Sequence, residues 1–307
     1  MRVTIMGTAL ALALAGCGSS AATRPDAEIF GEQCQPGGTF ALDGRAAVLG
    51  TLNVHVNASG LVEVDTTAEL LIAMDVVQTG TDVKVVAEAC GIQIPDVPIQ
   101  GQEKPIHFVV PDATIQSVSG VAGNAVLSSA TATCSTFKSD TFTIVLGARF
   151  DPTEIRSAPL PEADANGTFR FCPPSADTAC ALAIGNGCAC DQEGDGKVGA
   201  TLQAFNVPAV DLDEVYVTLR TSFSLDGQVF SSDAVVGDID ATIAQGILGC
   251  HKSAGGPCNA SEVGAVKNLN PMITQQPGNP SRFRSARVPT TATCADIVAM
   301  KDTLFPR

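Results

Sequence analysis

Large apolar residues recur at every second position over several stretches of this chain, and that period dictates most of what it can become. Leu52, Val54 and Val56 alternate with Asn53 and His55. Leu70, Ile72, Met74 and Val76 form the next run, and Val83, Val85 and Ala87 alternate against Lys84 and Glu88. Successive side chains of an extended strand point to opposite faces, so each run makes one apolar face and one polar face. Gln78-Thr79-Gly80-Thr81-Asp82 lies between two of the runs and predicts a hairpin. Ile106, Phe108 and Val110, then Phe142, Ile144 and Leu146, carry the pattern on. Pro95, Pro98, Pro105 and Pro111 punctuate the gaps, as expected of strand ends and edges, where a missing donor is tolerated. Residues 38–150 therefore read as an N-terminal antiparallel β region.

Residues 151–171 hold Pro152, Pro159 and Pro161 and few large apolar side chains before Phe169, which reads as a linker. Residues 172–307 read as a cysteine-rich C-terminal β region. Val215, Val217 and Leu219 alternate there with Tyr216, Thr218 and Arg220. Phe223 and Leu225 continue the run, Asp226-Gly227 has the form of a hairpin turn, and Ile239, Ala241 and Ile243 give a further strand. Asn259 with Glu262, and Thr293 with Asp296, have the spacing of reciprocal helix caps. Ile297, Met300 and Leu304 follow at helical spacing. The fold class is mainly β: antiparallel sandwich or barrel-like sheets, one or two short helices near the C-terminus, and disulfide stabilisation.

The amino terminus supplies an address. Arg2 is the only charge before Arg24, and Val3 to Ala15 are apolar or small, as in the apolar stretch of a secretory signal. That run is too short to span a bilayer as a helix, which takes about 20 residues. It ends Leu14-Ala15-Gly16-Cys17, which resembles the lipobox of bacterial lipoproteins. The resemblance implies that residues 1–16 are a signal cut before Cys17, that the Cys17 thiol receives a diacylglycerol, and that the new amine is acylated. Gly18 in place of an aspartate implies an outer membrane, where the cell has one. Residues 17–37 are then the lipidated cysteine and a flexible tether, small and polar from 18 to 33.

With Cys17 set aside, ten of the eleven cysteines remain: Cys34, Cys90, Cys134, Cys172, Cys180, Cys188, Cys190, Cys250, Cys258 and Cys294. An even number in an exported chain reads as up to five disulfides. Cys250 and Cys258 are expected to close a local loop through Ala254-Gly255-Gly256-Pro257, Cys90 is paired with Cys134, and Cys294 pins the terminal helix. Cys188 and Cys190 are too close to pair comfortably, so each reaches elsewhere. Zinc is the alternative for Cys172 to Cys190, but spacings of eight, eight and two lack the paired CxxC rhythm.

Losing Arg2 takes the net charge from −14 to −15, which argues against nucleic acid and against charge-driven docking on anionic lipid. Charged residues are only 16% and hydrophobic ones 45%, so the acidity sits on a packed domain and not on a disordered tail. There is no Trp and one Tyr, Tyr216, which weighs against a ring-lined glycan surface.

One constellation points to chemistry. Asp191-Gln192-Glu193-Gly194-Asp195-Gly196-Lys197-Val198 places acidic groups at positions one, three and five and Gly at six. It resembles the calcium loop of EF-hands and dockerin-like modules, in which alternate oxygens converge on a hard cation. The resemblance implies side-chain ligands from Asp191, Glu193 and Asp195 and a backbone carbonyl from Lys197. Leu202 stands where the family has a bidentate Glu, so a closing ligand such as Asp211 or Asp213 has to come from elsewhere. His55 and His107 lie within strand patterns and His251 beside Cys250. No GxSxG elbow, HExxH or P-loop occurs, and no catalytic residue is assigned.

Gly194-Asp-Gly-Lys197, Val215-Tyr-Val-Thr-Leu-Arg220, Leu248-Gly-Cys-His251 and Thr293-Cys-Ala-Asp296 together resemble uncharacterised cysteine-rich lipoproteins of myxobacterial type. That likeness implies class and location, not an activity. The sequence is read as a non-enzymatic, lipid-anchored envelope protein whose partners are the membrane and a ligand, a small hydrophobic molecule or an envelope protein, held in or on a β scaffold. A calcium-stabilised adhesive or structural module is the alternative reading, and a hydrolase the weaker one.

Overall fold

The computed structural model describes residues 34–306 apart from 59–61, 100, 152, 173–186, 208–209 and 271. The signal, Cys17, the tether to residue 33 and Cys180 lie outside the described residues. Three long antiparallel ladders carry the fold. Strand β1 (Gly44–Ala58) pairs with β2 (Val62–Thr79) from Gly44↔Val76 to Ala58↔Val62. β2 pairs with β3 (Asp82–Gln93) around Gly80, whose φ of 63° needs glycine. Farther along, β11 (Leu212–Val229) pairs with β12 (Val235–Lys252) over nearly their full lengths.

Shorter strands join these ladders. They are β4 (His107–Val109), β5 (Val121–Leu127), β6 (Thr136–Ser139), β7 (Phe142–Leu146), β10 (Ala200–Phe205), β13 (Met272–Gln275) and β14 (Ser281–Val288). β8 (Ala148–Arg149) and β9 (Cys188–Ala189) form a separate pair. The main sheet runs β12-β14-β1-β2-β3-β5-β6-β11, and the β11–β12 ladder joins its two ends in a ring of neighbours. It is not closed as a regular barrel. β12 bonds to β14 only from Val236 to Ile239. Beyond that the side chains of Gln275 and Asn270 reach the carbonyls of Ile239 and Gln245 across the seam. The β regions read as 38–150 and 172–307 share this one sheet, with β14 on β1 and both β6 and β7 on β11.

The period-two residues fill the inside. Val48, Leu52, Val54, Ile72, Met74, Val83 and Val85 meet Phe137, Phe142, Phe223, Leu225 and Phe283 in one core. The Phe142 ring stacks on Phe223 with centroids 5.3 Å apart and lies where a Cβ on Gly123 would sit, 2.1 Å away. A second core continues along β11 through Val215 and Val217 to Ile247, Cys250, Val263 and Val266. Leu248 is the extra residue of a β-bulge between the pairs Tyr216↔Gly249 and Val217↔Ile247. The bulge resets the alternation, so Ile247 and Cys250 both face this core.

Three helices lie among the described residues: α1 (Asp112–Gln116), α2 (Ala260–Asn268) and α3 (Cys294–Leu304). The expected capping boxes form, Asn259 with Glu262 on α2 and Thr293 with Asp296 on α3. α3 lays Ile297, with Phe305 just past its end, over Ala47, Leu49, Leu71 and Ala73. β2 is therefore covered on both faces there, which explains the unbroken apolar run Leu70-Leu71-Ile72-Ala73-Met74.

Four disulfides lie among the described residues: Cys34–Cys134, Cys90–Cys294, Cys172–Cys188 and Cys250–Cys258. Cys190 is disulfide-bonded as well. The Cys250–Cys258 loop and the pinning of α3 by Cys294 are as expected. The Cys90–Cys134 pairing is corrected. Cys90 is the extra residue in a bulge opposite Leu71 and Ile72 and faces α3, whereas Cys134 lies beside Val229 at the end of the sheet, where Cys34 meets it. The Asp226-Gly227 turn is also corrected, because β11 runs on to Val229 and the chain reverses at 230–234. Gly227 and Gly237 are direct partners, and a Cβ on either would fall within 2.5 Å of a carbonyl oxygen across the ladder. Glycine serves close strand approach here and not a turn.

Candidate functional site: the acidic corner at residues 191–214

The loop from Asp191 to Val198 packs where β10 leaves β11. Asp191 ties it locally: its Oδ1 accepts from the backbone N–H groups of Gly194 at 2.6 Å and Asp195 at 3.2 Å, and its Oδ2 from Gly196 at 2.8 Å. Gly194 and Gly196 hold φ of 75° and 83°, which explains glycine at both places. Gln192 reaches inward, accepting from the Gly147 N–H and donating to the Ser117 carbonyl.

The two further carboxylates meet different partners. Glu193 turns toward β10, and its Oε1 accepts from the Thr201 N–H at 2.6 Å and from the hydroxyl of Thr114, on α1, at 3.2 Å. Its Oε2 is buried with no hydrogen-bond partner among the described residues. Desolvation raises the pKa of Glu193, and the charge of Asp195 adds to the shift. Asp195 accepts from the Lys197 N–H and from the Thr201 hydroxyl, both at 2.8 Å.

Beside them sits a knot of charge that the sequence does not announce. The Lys197 ammonium donates to both oxygens of Glu214, at 2.6 and 2.7 Å, and lies 3.8 Å from Asp195. Partial burial opposes its charge, but the hydrogen bond and charge of Glu214 outweigh this and raise its pKa. The Tyr216 hydroxyl donates to Glu214 at 2.9 Å, and burial followed by that bond pushes its pKa well above the ordinary phenol value. Lys197, expected to offer a backbone carbonyl, thus also gives its side chain to the corner. No motif in the loop marks Glu214, Tyr216, Thr114 or Thr201 as site residues, since β11, α1 and β10 bring them in from outside it. The single Tyr two positions from an acidic residue was the one available signal.

Among the described residues, two groups of side chains come close enough to hold a metal ion: Glu88, Cys90 and Cys294, and Asp213, Glu214 and His251. The two cysteines of the first are joined to each other, which leaves them no thiolate to offer. In the second, His251 Nδ1 lies 2.9 Å from Asp213 Oδ1, and its Nε2 accepts from the Gly256 N–H at 3.0 Å. That acceptor role assigns the imidazole proton to Nδ1. A metal taking Nδ1 would therefore have to drive this proton to Nε2 and break the Gly256 bond, because a backbone N–H cannot accept. The carboxylates of Asp213 and Glu214 are the readier ligands for a hard cation.

Inside the ring two voids measure about 10 Å³ and 50 Å³. The first is lined by side chains such as Leu70, Ile239 and Phe283, and the second reaches Arg45 and Arg287 at its rim. Sites for small organic ligands measure roughly 300–1,000 Å³. These two voids are of a size for water.

Comparison with known protein families, with curated proteins and with solved structures finds no match to this chain.

Proposed function

We propose that this chain is a non-enzymatic envelope lipoprotein, attached through Cys17 to a membrane outside the cytoplasm, whose braced β scaffold binds a ligand or envelope protein on its surface. One observation carries the reading: all nine described cysteines are disulfide-bonded. Reducing compartments keep thiols free, so this pattern supports export, and the Leu14-Ala15-Gly16-Cys17 box supplies the attachment. The small size of the two internal voids favours a ligand held on the outside of the sheet. The test is metabolic labelling with palmitate in the native host. The wild type is expected to incorporate label and Cys17→Ser to lose it, and equal labelling of the two would sink the proposal.

A second reading, calcium at residues 191–198 stabilising an adhesive module, draws on the buried and unpartnered Oε2 of Glu193 beside Asp195. Buried polar atoms without partners are rare and often mark an ion or a water. Asp191, Glu193 and Asp195 are not among the groups of described residues that come close enough to share an ion, so they would have to turn toward one another to supply oxygens, with Asp213 or Glu214 nearby. Without a bidentate Glu at Leu202 the affinity would fall near the ~10⁻⁴–10⁻³ M of extracellular modules. Saturating calcium would then stabilise the fold by about 2.7 kcal/mol at 100 times the dissociation constant. Thermal melts in EDTA and in about 10–100 mM calcium, on wild type and Asp195→Ala, decide it. A calcium response that is the same in both proteins would remove the loop from consideration.

A further inference from the structure

We propose that the Cys34 end of the sheet faces an anionic lipid surface, while the opposite end, bearing Glu214 and all three histidines, points away from it. This rests on the proposal that the chain is anchored at Cys17, and it adds an orientation that anchoring alone does not give.

The first support is where the chain joins the fold. Cys34 is bonded to Cys134, whose backbone N–H donates to the Val229 carbonyl at 2.8 Å. The Thr133 N–H donates to Gly38 and the Phe40 N–H to Thr131, so the first described residues are sewn to that same end. The turn at Gly80 and the reversal at 230–234 lie there too, through Leu127 on Thr81 and Gln78 on Ala130. β11 then runs without interruption from Val229 back to Glu214. Fifteen residues at roughly 3.3 Å each put about 50 Å between the joining point and the acidic corner. Even a chain of 16 residues with full random-coil freedom has a root-mean-square reach of only roughly 20 Å.

The second support is independent of the tether. The Cys34 end carries the smaller negative charge: Asp43 and Asp82 stand there, and Asp233 lies 3.4 Å from the Arg287 guanidinium. The far end gathers Asp195, Asp213 and Glu214. It also holds every histidine of the chain, each with Nδ1 on an aspartate: His55 on Asp65 at 2.8 Å, His107 on Asp96 at 2.6 Å and His251 on Asp213 at 2.9 Å. The start of β2 belongs to this end, because Val62 packs with Val97, Ile106 and Phe108, and Phe108 lies on β4 beside β10. Anionic headgroups repel the more acidic end more strongly within a Debye length of about 8 Å and leave the less acidic end as the one that settles toward them.

The mature chain is coupled through its Cys17 thiol to a maleimide lipid in phosphatidylcholine–phosphatidylglycerol vesicles that carry an acceptor dye. A donor is placed at one of two exposed positions, Thr81→azidophenylalanine near Cys34 or Ser253→azidophenylalanine beside the acidic corner. With the ends about 50 Å apart, energy transfer to the bilayer is expected to be about twofold or more stronger from position 81. Equal transfer, or stronger transfer from position 253, overturns the orientation. Natural acylation is read separately, from the mass of the Cys17 peptide of protein extracted from its own membrane. A bare thiol there would sink the anchoring proposal, while the coupled protein still reports the orientation.

Discussion

The inside of the ring and the acidic corner solve burial in opposite ways. The ring takes residues with no polar atoms and stacks them, Phe142 on Phe223 and Phe137 near Phe283. Its stability comes from apolar area removed from water, and no member depends on a particular hydrogen bond. The corner takes Glu193, Asp195, Lys197, Glu214 and Tyr216 partly out of water, and each then depends on one or two named partners. Such networks contribute little net stability but hold side chains in fixed places. The ring is what keeps the fold, and the corner is what the fold displays.

Substitutions in the two regions separate these roles. The largest effect is expected from Phe142→Ala: the side chain is 1% exposed, and its loss leaves a cavity against Gly123 and Phe223 costing about 3–5 kcal/mol. Urea denaturation measures it, and a loss as small as that of a surface substitution would show that the ring is not the chief source of stability. Next comes Cys90→Ser with Cys294→Ser, which frees α3 from the outer face of β3; removing a native disulfide typically costs about 2–5 kcal/mol. Hydrogen exchange should show α3 losing protection first, while β11 and β12 keep theirs.

Smaller again is Thr218→Val. Thr218 is fully buried and donates to the Pro161 carbonyl at 2.7 Å, so an acceptor is left unsatisfied at a cost of about 1–3 kcal/mol. That loss would show how firmly the segment read as a linker is held to β11, together with Arg220, which donates to the Ala158 carbonyl at 2.6 Å.

The smallest effect belongs to the corner. Burial raises the Glu193 pKa, so the folded protein holds its proton more tightly than the unfolded chain does. Wild-type stability relative to Glu193→Gln is therefore fully present below the ordinary carboxylate range. It is lost as pH rises through the raised folded value. Denaturation midpoints of the two proteins between pH 4 and pH 7 in EDTA test the sign. Calcium at the loop would reverse this trend, because a bound cation favours the ionised carboxylate.

What the sequence disclosed follows the range of each interaction. The hairpins around Gly80 and the capping boxes on α2 and α3 depend on residues a few positions apart, and those were legible. The ring was not, because β14 on β1 and β6 on β11 join residues far apart, which no local period records. The bulges at Cys90 and Leu248 were hidden for a related reason, since a shift of one residue appears only against the partner strand. The corner was half legible. The spacing of Asp191, Glu193 and Asp195 marked a loop that gathers carboxylates. That Glu193 would turn to Thr201, and Lys197 to Glu214, depended on the pairing of β10 with β11.

The unequal edges of β11 bear on the order in which the chain can assemble. One edge is taken along nearly its whole length by β12, its immediate successor, while the other is shared among β6, β7 and β10. A chain emerging amino end first makes β6 and β7 well before their template exists, and β1 waits longer still for β14. The β11–β12 hairpin needs nothing distant and can form as soon as it appears, so it is the natural nucleus on which earlier segments are gathered. Pairings that span most of the chain are slow to close and leave strand edges open in the meantime. The protein is thus expected to fold late and from its second half, and to depend on being kept from aggregating until residue 288 is free.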